Sequence, residues 1–155
     1  MTYLSGYLTP RESLIWTLSR RIDSVTEISD ELGISRQAVY KSLKVIESKI
    51  EQAFTEALNS NRLELIEMNT TEGVAKAYSH AYNLPVIISL SEANNLKLWY
   101  LYEGNCKRCK LELACKKMLA EEAKERGIKL SNTDLEIEPT KLAIKIFSRY
   151  FKEEI

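Results

Sequence analysis

The sequence predicts a mainly α chain with a small α+β module, and three observations carry that prediction. Apolar residues recur at helical spacing through 10–22, 25–32 and 35–58, each run opened by a capping signal. Short alternating or β-branched runs are confined to the stretch between 63 and 102. A helical pattern then returns at 111, just behind three closely spaced cysteines. The expected division is a helical unit over 1–60 and an α+β unit over 61–155, with no repeat or long linker between them.

The first helix opens at Leu8-Thr9-Pro10-Arg11-Glu12, with Thr9 as N-cap, Pro10 at the first helical position and Glu12 closing a capping box. Leu14, Ile15, Leu18 and Ile22 give it an apolar stripe. A short second helix over 25–32 takes Thr26 as its expected cap, turns Ile28 and Leu32 inward, and stops at Gly33, where a left-handed turn suits a residue without a Cβ. Ser35 caps a third helix that meets no stop signal before Asn59-Ser60-Asn61.

Along this third helix Val39, Leu43, Ile46, Ile50, Ala53 and Ala57 are spaced alternately by four and three, a heptad seam widened by Phe54 and Leu58. The first half must serve the helical core. The second half has nothing local to bury against, so Ile50, Phe54, Ala57 and Leu58 are expected to form a homodimer interface. The competing expectation is that this stripe packs within the chain on the strands of 63–102.

Beyond residue 60, the alternation over 63–68 suggests a strand. The stretch 71–82 fits a helix burying Val74, Ala77, Tyr78 and Ala81, ended by Asn83 and Pro85. Val86-Ile87-Ile88-Ser89-Leu90 and the run 96–102 read as strands separated by a polar turn. A helix over 111–126 stops at Gly127, and Pro139 opens a last helix with Leu142, Ala143, Ile146, Phe147 and Tyr150 on one face.

Net charge is zero, with 22 Lys and Arg against 22 Asp and Glu, which excludes a protein that coats nucleic acid by bulk charge and leaves room for a local basic surface. No apolar run approaches the ~18 residues of a membrane span. Met1-Thr2-Tyr3 opens no signal peptide, so a cytoplasmic protein without a membrane partner is expected. In that compartment Cys106, Cys109 and Cys115 point to thiol or metal chemistry rather than disulfides. No catalytic base, nucleophile pair or cofactor loop stands out, so an enzyme is not expected.

The segment from Val25 to Leu43 carries the main functional signal, an N-terminal helix-turn-helix. Ile28 and Leu32 pack its first helix, Gly33 makes the turn, Ile34 plugs the angle, and Val39 and Leu43 seat the second helix. Arg36, Gln37, Tyr40, Lys41 and Lys44 are left pointing outward. Arg reads guanine and Gln reads adenine through the major groove of double-stranded DNA, while Tyr40, Lys41 and Lys44 suit phosphates. From Ser35 to Lys49 the four cations Arg36, Lys41, Lys44 and Lys49 outnumber Glu47, so the basic surface hidden by the global balance lies on this helix.

The run Leu8-Thr9-Pro10-Arg11-Glu12, followed by Ile28, Leu32-Gly33-Ile34-Ser35-Arg36 and Val39, resembles the LuxR/FixJ-type and sigma-region-4-like helix-turn-helix. The uninterrupted helix beyond it is more similar to archaeal Tfx-like regulators. The resemblance spans about 43 residues and implies promoter binding through the second helix, hence through Arg36, Gln37, Tyr40, Lys41 and Lys44.

Cys106-x2-Cys109-x5-Cys115 is a knuckle in which two thiolates clasp one metal and a third joins from the following helix. The spacing resembles the three-cysteine part of WhiB-type iron–sulfur motifs, although a fourth cysteine is lacking. Three outcomes stay open: a [4Fe–4S] cluster with a non-cysteine fourth ligand, zinc completed by His80, a carboxylate or water, or no metal at all, with Cys115 simply joining Leu111, Met118 and Leu119 on a core face. The combined expectation is a DNA-reading transcriptional regulator, dimeric, with metal or redox responsiveness from its C-terminal Cys-containing helical region. The alternatives are an iron–sulfur or redox protein with an accessory DNA-binding module, and a protein-binding adaptor.

Overall fold

Leu63–Asn69 (β1), Val74–Ser79 (β2), Leu84–Ser91 (β3) and Asn95–Tyr100 (β4) form one antiparallel sheet in the order β1-β2-β3-β4. The computed structural model describes residues 6–102, 109–153 and 155. Pro10–Arg21 (α1), Val25–Leu32 (α2) and Arg36–Ser60 (α3) precede the sheet; Glu112–Glu125 (α4), Asn132–Glu136 (α5) and Pro139–Phe147 (α6) follow it. The expected mainly α fold with a small α+β module is therefore corrected. The sheet is the middle layer, and helices cover both of its faces.

The two faces follow from strand alternation. Ala75 pairs with Ile88 across β2 and β3, and these join Ala77 and Leu90 against Ile15, Trp16, Ile46, Ile50 and Phe54 of α1 and α3. Val74, Ile87 and Trp99 point the other way, onto Leu119 of α4 and Leu142, Ile146 and Phe147 of α6. The first cluster draws on residues from both sides of position 60, so the N-terminal helices share their core with the sheet.

The stretch expected to be a helix over 71–82 is instead the turn into β2, β2 itself and the next turn. With both faces covered, β2 buries Val74, Ala75, Lys76, Ala77 and Ser79 and loses the period-two signature of a half-solvated strand. Asn83, which suggested a helix end, has φ +53 and closes the β2–β3 hairpin.

The dimer seam is corrected as well. Ile50, Phe54, Ala57 and Leu58 are buried within the single chain, packed in one cluster with Ala75, Ala77, Ile88 and Leu90 of the sheet. At ~1.5–3 kcal/mol for each large apolar side chain buried, Ile50, Phe54 and Leu58 stabilise the join between α3 and the sheet and are not available to a second copy.

The helix ends are largely those expected. Thr9 and Glu12 form the capping box, with Glu12 N–H donating to Thr9 Oγ1 at 3.2 Å and Thr9 N–H to Glu12 Oε1 at 2.9 Å. The cap of α2 is Ser24, not Thr26: its hydroxyl oxygen accepts from Glu27 N–H at 3.3 Å. Ser131 and Asp134 build a second capping box at the start of α5, a helix too short to show a period in the sequence.

Candidate nucleic-acid interface and cysteine cleft

The turn between α2 and α3 is set by Gly33, at φ +65 and ψ +33, the left-handed geometry that lets its own N–H and that of Ile34 bond back to the Ser29 carbonyl. Ser35 then caps α3, its hydroxyl accepting from Ala38 N–H at 3.1 Å. Val39 and Ile46 are buried and Leu43 half-buried beneath the helix. That seating leaves Arg36, Gln37, Tyr40, Lys41 and Lys44 exposed along one face of the first half of α3.

None of these five side chains makes a hydrogen bond or ion pair among the described residues. The neighbouring charges behave differently. Lys49 donates to Glu12 at 2.7 Å, tying α3 to α1, and Glu47 accepts from the Thr71 hydroxyl at 3.4 Å. Burial pushes the Glu12 carboxyl up, but the hydrogen bonds from Lys49 and Thr9 outweigh it and hold its pKa below the ordinary value. Arg36, Lys41 and Lys44 keep their donors available to an external anion. A planar guanidinium, an amide and two ammonium groups on one helix face can form bidentate contacts to base edges and point contacts to phosphates.

Cys109 and Cys115 lie on the opposite side of the sheet, beside α4. Cys106 is outside the described residues. Cys109 is exposed and Cys115 half-buried on the first turn of α4, and both line an apolar cleft of about 710 Å³ with Trp99, Tyr100 and Glu112. Among the described residues no group of three or more His, Cys, Asp and Glu is placed to hold a metal ion. His80 stands exposed at the end of β2, 2.5 Å from Glu64, and does not line the cysteine cleft. Leu119 and Ala123 are the buried apolar residues of α4, while Leu111 is exposed, so the apolar face expected through Leu111 and Cys115 is only partly formed.

A third group of polar residues is invisible to motif reading. Arg126, at the end of α4, pairs with Glu122 at 3.3 Å, with side chains 1% and 0% exposed. Its guanidinium also donates to the carbonyls of Glu72 at 2.6 Å and Leu90 at 3.2 Å. Glu125 accepts from Glu92 N–H at 2.8 Å, and Glu92 in turn accepts from the Ser13 and Thr17 hydroxyls of α1. The i,i+4 spacing of Glu122 and Arg126 is the only trace of this network in the sequence.

Among the described residues no helix is long and apolar enough to cross a membrane. In comparison with known proteins, no family model, no curated protein and no solved structure matches the chain.

Proposed function

We propose that the chain is a sequence-specific DNA-binding transcriptional regulator of the cytoplasm, acting as a homodimer and reading the major groove with the first half of α3. The observation that carries this reading is the face of Arg36, Gln37, Tyr40, Lys41 and Lys44, exposed together and without partners among the described residues. Arg36 and Gln37, at the N-terminal end of the helix, are assigned to base edges; Tyr40, Lys41 and Lys44 are assigned to phosphates. One such helix makes few base contacts, so two copies related by a two-fold axis, reading half-sites ~34–36 Å apart, supply the specificity. Their contact lies outside the core that holds Ile50, Phe54, Ala57 and Leu58.

Selection of bound sequences from a random duplex library, followed by titration at several salt concentrations, tests this. Arg36→Ala and Gln37→Ala each cost ~1–3 kcal/mol at the selected site and relax its sequence preference. Lys44→Ala weakens all duplexes alike and lowers the salt slope by about one. Salt-independent or absent DNA binding would transfer the same face to a protein partner and overturn the proposal.

The cysteine cleft supports a second, separable property, because Cys109 and Cys115 open onto one cavity. With Cys106 as the third donor, this thiol set suits a zinc ion or an iron–sulfur cluster, either of which would make the regulator metal- or redox-responsive.

A further inference from the structure

The cleft between β4, α4 and α6 holds more than two thiols. At about 710 Å³ it falls within the roughly 300–1,000 Å³ of small-molecule sites. Its base is apolar: Trp99 and Leu101 meet Pro139 and Ala143 of α6, all of them buried. The Trp99 indole N–H donates to the Ser89 hydroxyl at 2.9 Å, so the polar edge of that ring is already satisfied. Tyr102 and Leu111 stand exposed on the walls, where the cleft opens to solvent.

One wall of this cleft carries two neighbouring donors. Lys97 lines it half-buried, with its ammonium 5.5 Å from the centre of the Trp99 ring. That ammonium makes no hydrogen bond or ion pair among the described residues. The other charged residue of the lining, Glu112, is matched by Lys116 at 3.3 Å, which leaves Lys97 as the unmatched charge. The second donor follows from the sheet, where β4 is an edge strand paired with β3 alone. Leu101 N–H bonds to the Pro85 carbonyl at 3.0 Å, and the register sets Trp99 against Ile87 and Lys97 against Ser89. Hydrogen-bonded pairs recur at every second residue of an antiparallel ladder, so the Leu98 N–H turns away from β3 to the free edge. The Leu98 side chain packs into the core on the other face of the sheet, so Leu98 meets the cleft through its backbone.

We infer that this cleft binds a small amphipathic carboxylate. Its head accepts from the Lys97 ammonium and the Leu98 N–H, and its apolar body fills the cleft above Trp99, Leu101 and Ala143. A single unmatched cation calls for a monoanion. A carboxylate has two oxygens, so it can take a charge-assisted bond from the ammonium and a second bond from the amide beside it. The apolar lining supplies affinity for the body, and the two donors fix which end of the ligand lies at the edge of β4.

The inference is independent of DNA binding and of metal at the thiols, and is tested on the full-length protein alone. Octanoate and naphthylacetate are titrated calorimetrically at neutral pH, beside their neutral amides and beside acetate. Each acid binds about tenfold or more tightly than its amide, the scale of one charge-assisted bond. Acetate, which has the head without the apolar body, binds more weakly than either acid. Lys97→Met keeps the apolar stem, removes the charge and brings acid and amide to the same affinity. In isotope-labelled wild-type protein the Leu98 amide resonance moves as either acid is added, while those of α2 stay in place. Tighter binding of octanoate identifies an alkyl acid as the better fit, and tighter binding of naphthylacetate an aromatic one. No binding of either acid, equal affinity for acid and amide, a preference untouched by Lys97→Met, or an unmoved Leu98 amide would each overturn the inference.

Discussion

Replacing Gly73 with alanine tests how the N-terminal helices are joined to the sheet. Gly73 ends the β1–β2 turn at φ +68, where an L side chain costs ~1–2 kcal/mol. An alanine Cβ there would stand 2.6 Å from Trp16 Cζ2, 2.8 Å from Trp16 Cη2 and 3.2 Å from the Leu90 carbonyl oxygen. The indole cannot retreat easily, because it is 1% exposed and its Nε1–H donates to the Thr71 carbonyl at 3.1 Å. Overpacking of this kind adds ~1–3 kcal/mol, giving ~2–5 kcal/mol in all, or on the order of 5–15 °C in Tm for a chain of this size. Gly127→Ala is the control: it has φ +71 but no atom within 4 Å of its Cβ, so it carries the backbone cost alone. Denaturant unfolding followed by tryptophan fluorescence measures both. If the two variants lose the same stability, the close approach of Trp16 is not what makes Gly73 indispensable.

Three other outcomes follow from the contacts described. Phe54→Ala loses ~3–5 kcal/mol in urea unfolding, and Phe54→Glu yields unfolded or aggregated protein rather than the soluble monomer that a dimer seam would give in sedimentation. Glu12 has a folded pKa below its ordinary value of 4.5, so its contribution is complete above that pH and is lost as pH falls through the folded pKa. Lys49→Met leaves burial as the largest influence on Glu12, so the variant is weaker at pH 7 and loses less on acidification; parallel stability–pH curves for the two proteins would refute this. For the thiols, protein made anaerobically with iron and zinc supplied contains metal, and Cys106→Ser with Cys109→Ser removes it; metal-free wild-type protein would exclude the cofactor.

What could be read in advance was whatever one segment specifies by itself. The capping box of α1, the Gly33 turn, the Ser35 cap and the exposed face of α3 all depend on residues within a few turns of each other. The strands around 63–68, 86–90 and 96–102 were legible for the same reason. β2 was not, because a central strand covered on both faces shows no alternation, and because left-handed residues such as Gly73 and Asn83 close hairpins as readily as helices. The second half of α3 advertised an apolar face but could not name what covers it. The buried polar network was beyond reach, since Ser13, Glu72, Glu92 and Arg126 come together only when both helical layers close on the sheet.

The unbroken run of α3 has a mechanical consequence. Its 25 residues form a rod about 37 Å long, with the far end packed into the core shared with the sheet and α1 and the near end carrying the exposed Arg36, Gln37, Tyr40, Lys41 and Lys44. Such a rod works as a lever. A tilt of about 5° at the packed end sweeps the tip through about 3 Å, close to the ~3.4 Å rise of one base step along a DNA strand. If this face reads DNA as proposed, a displacement small enough to pass as side-chain repacking in the core would shift its contacts by a whole register.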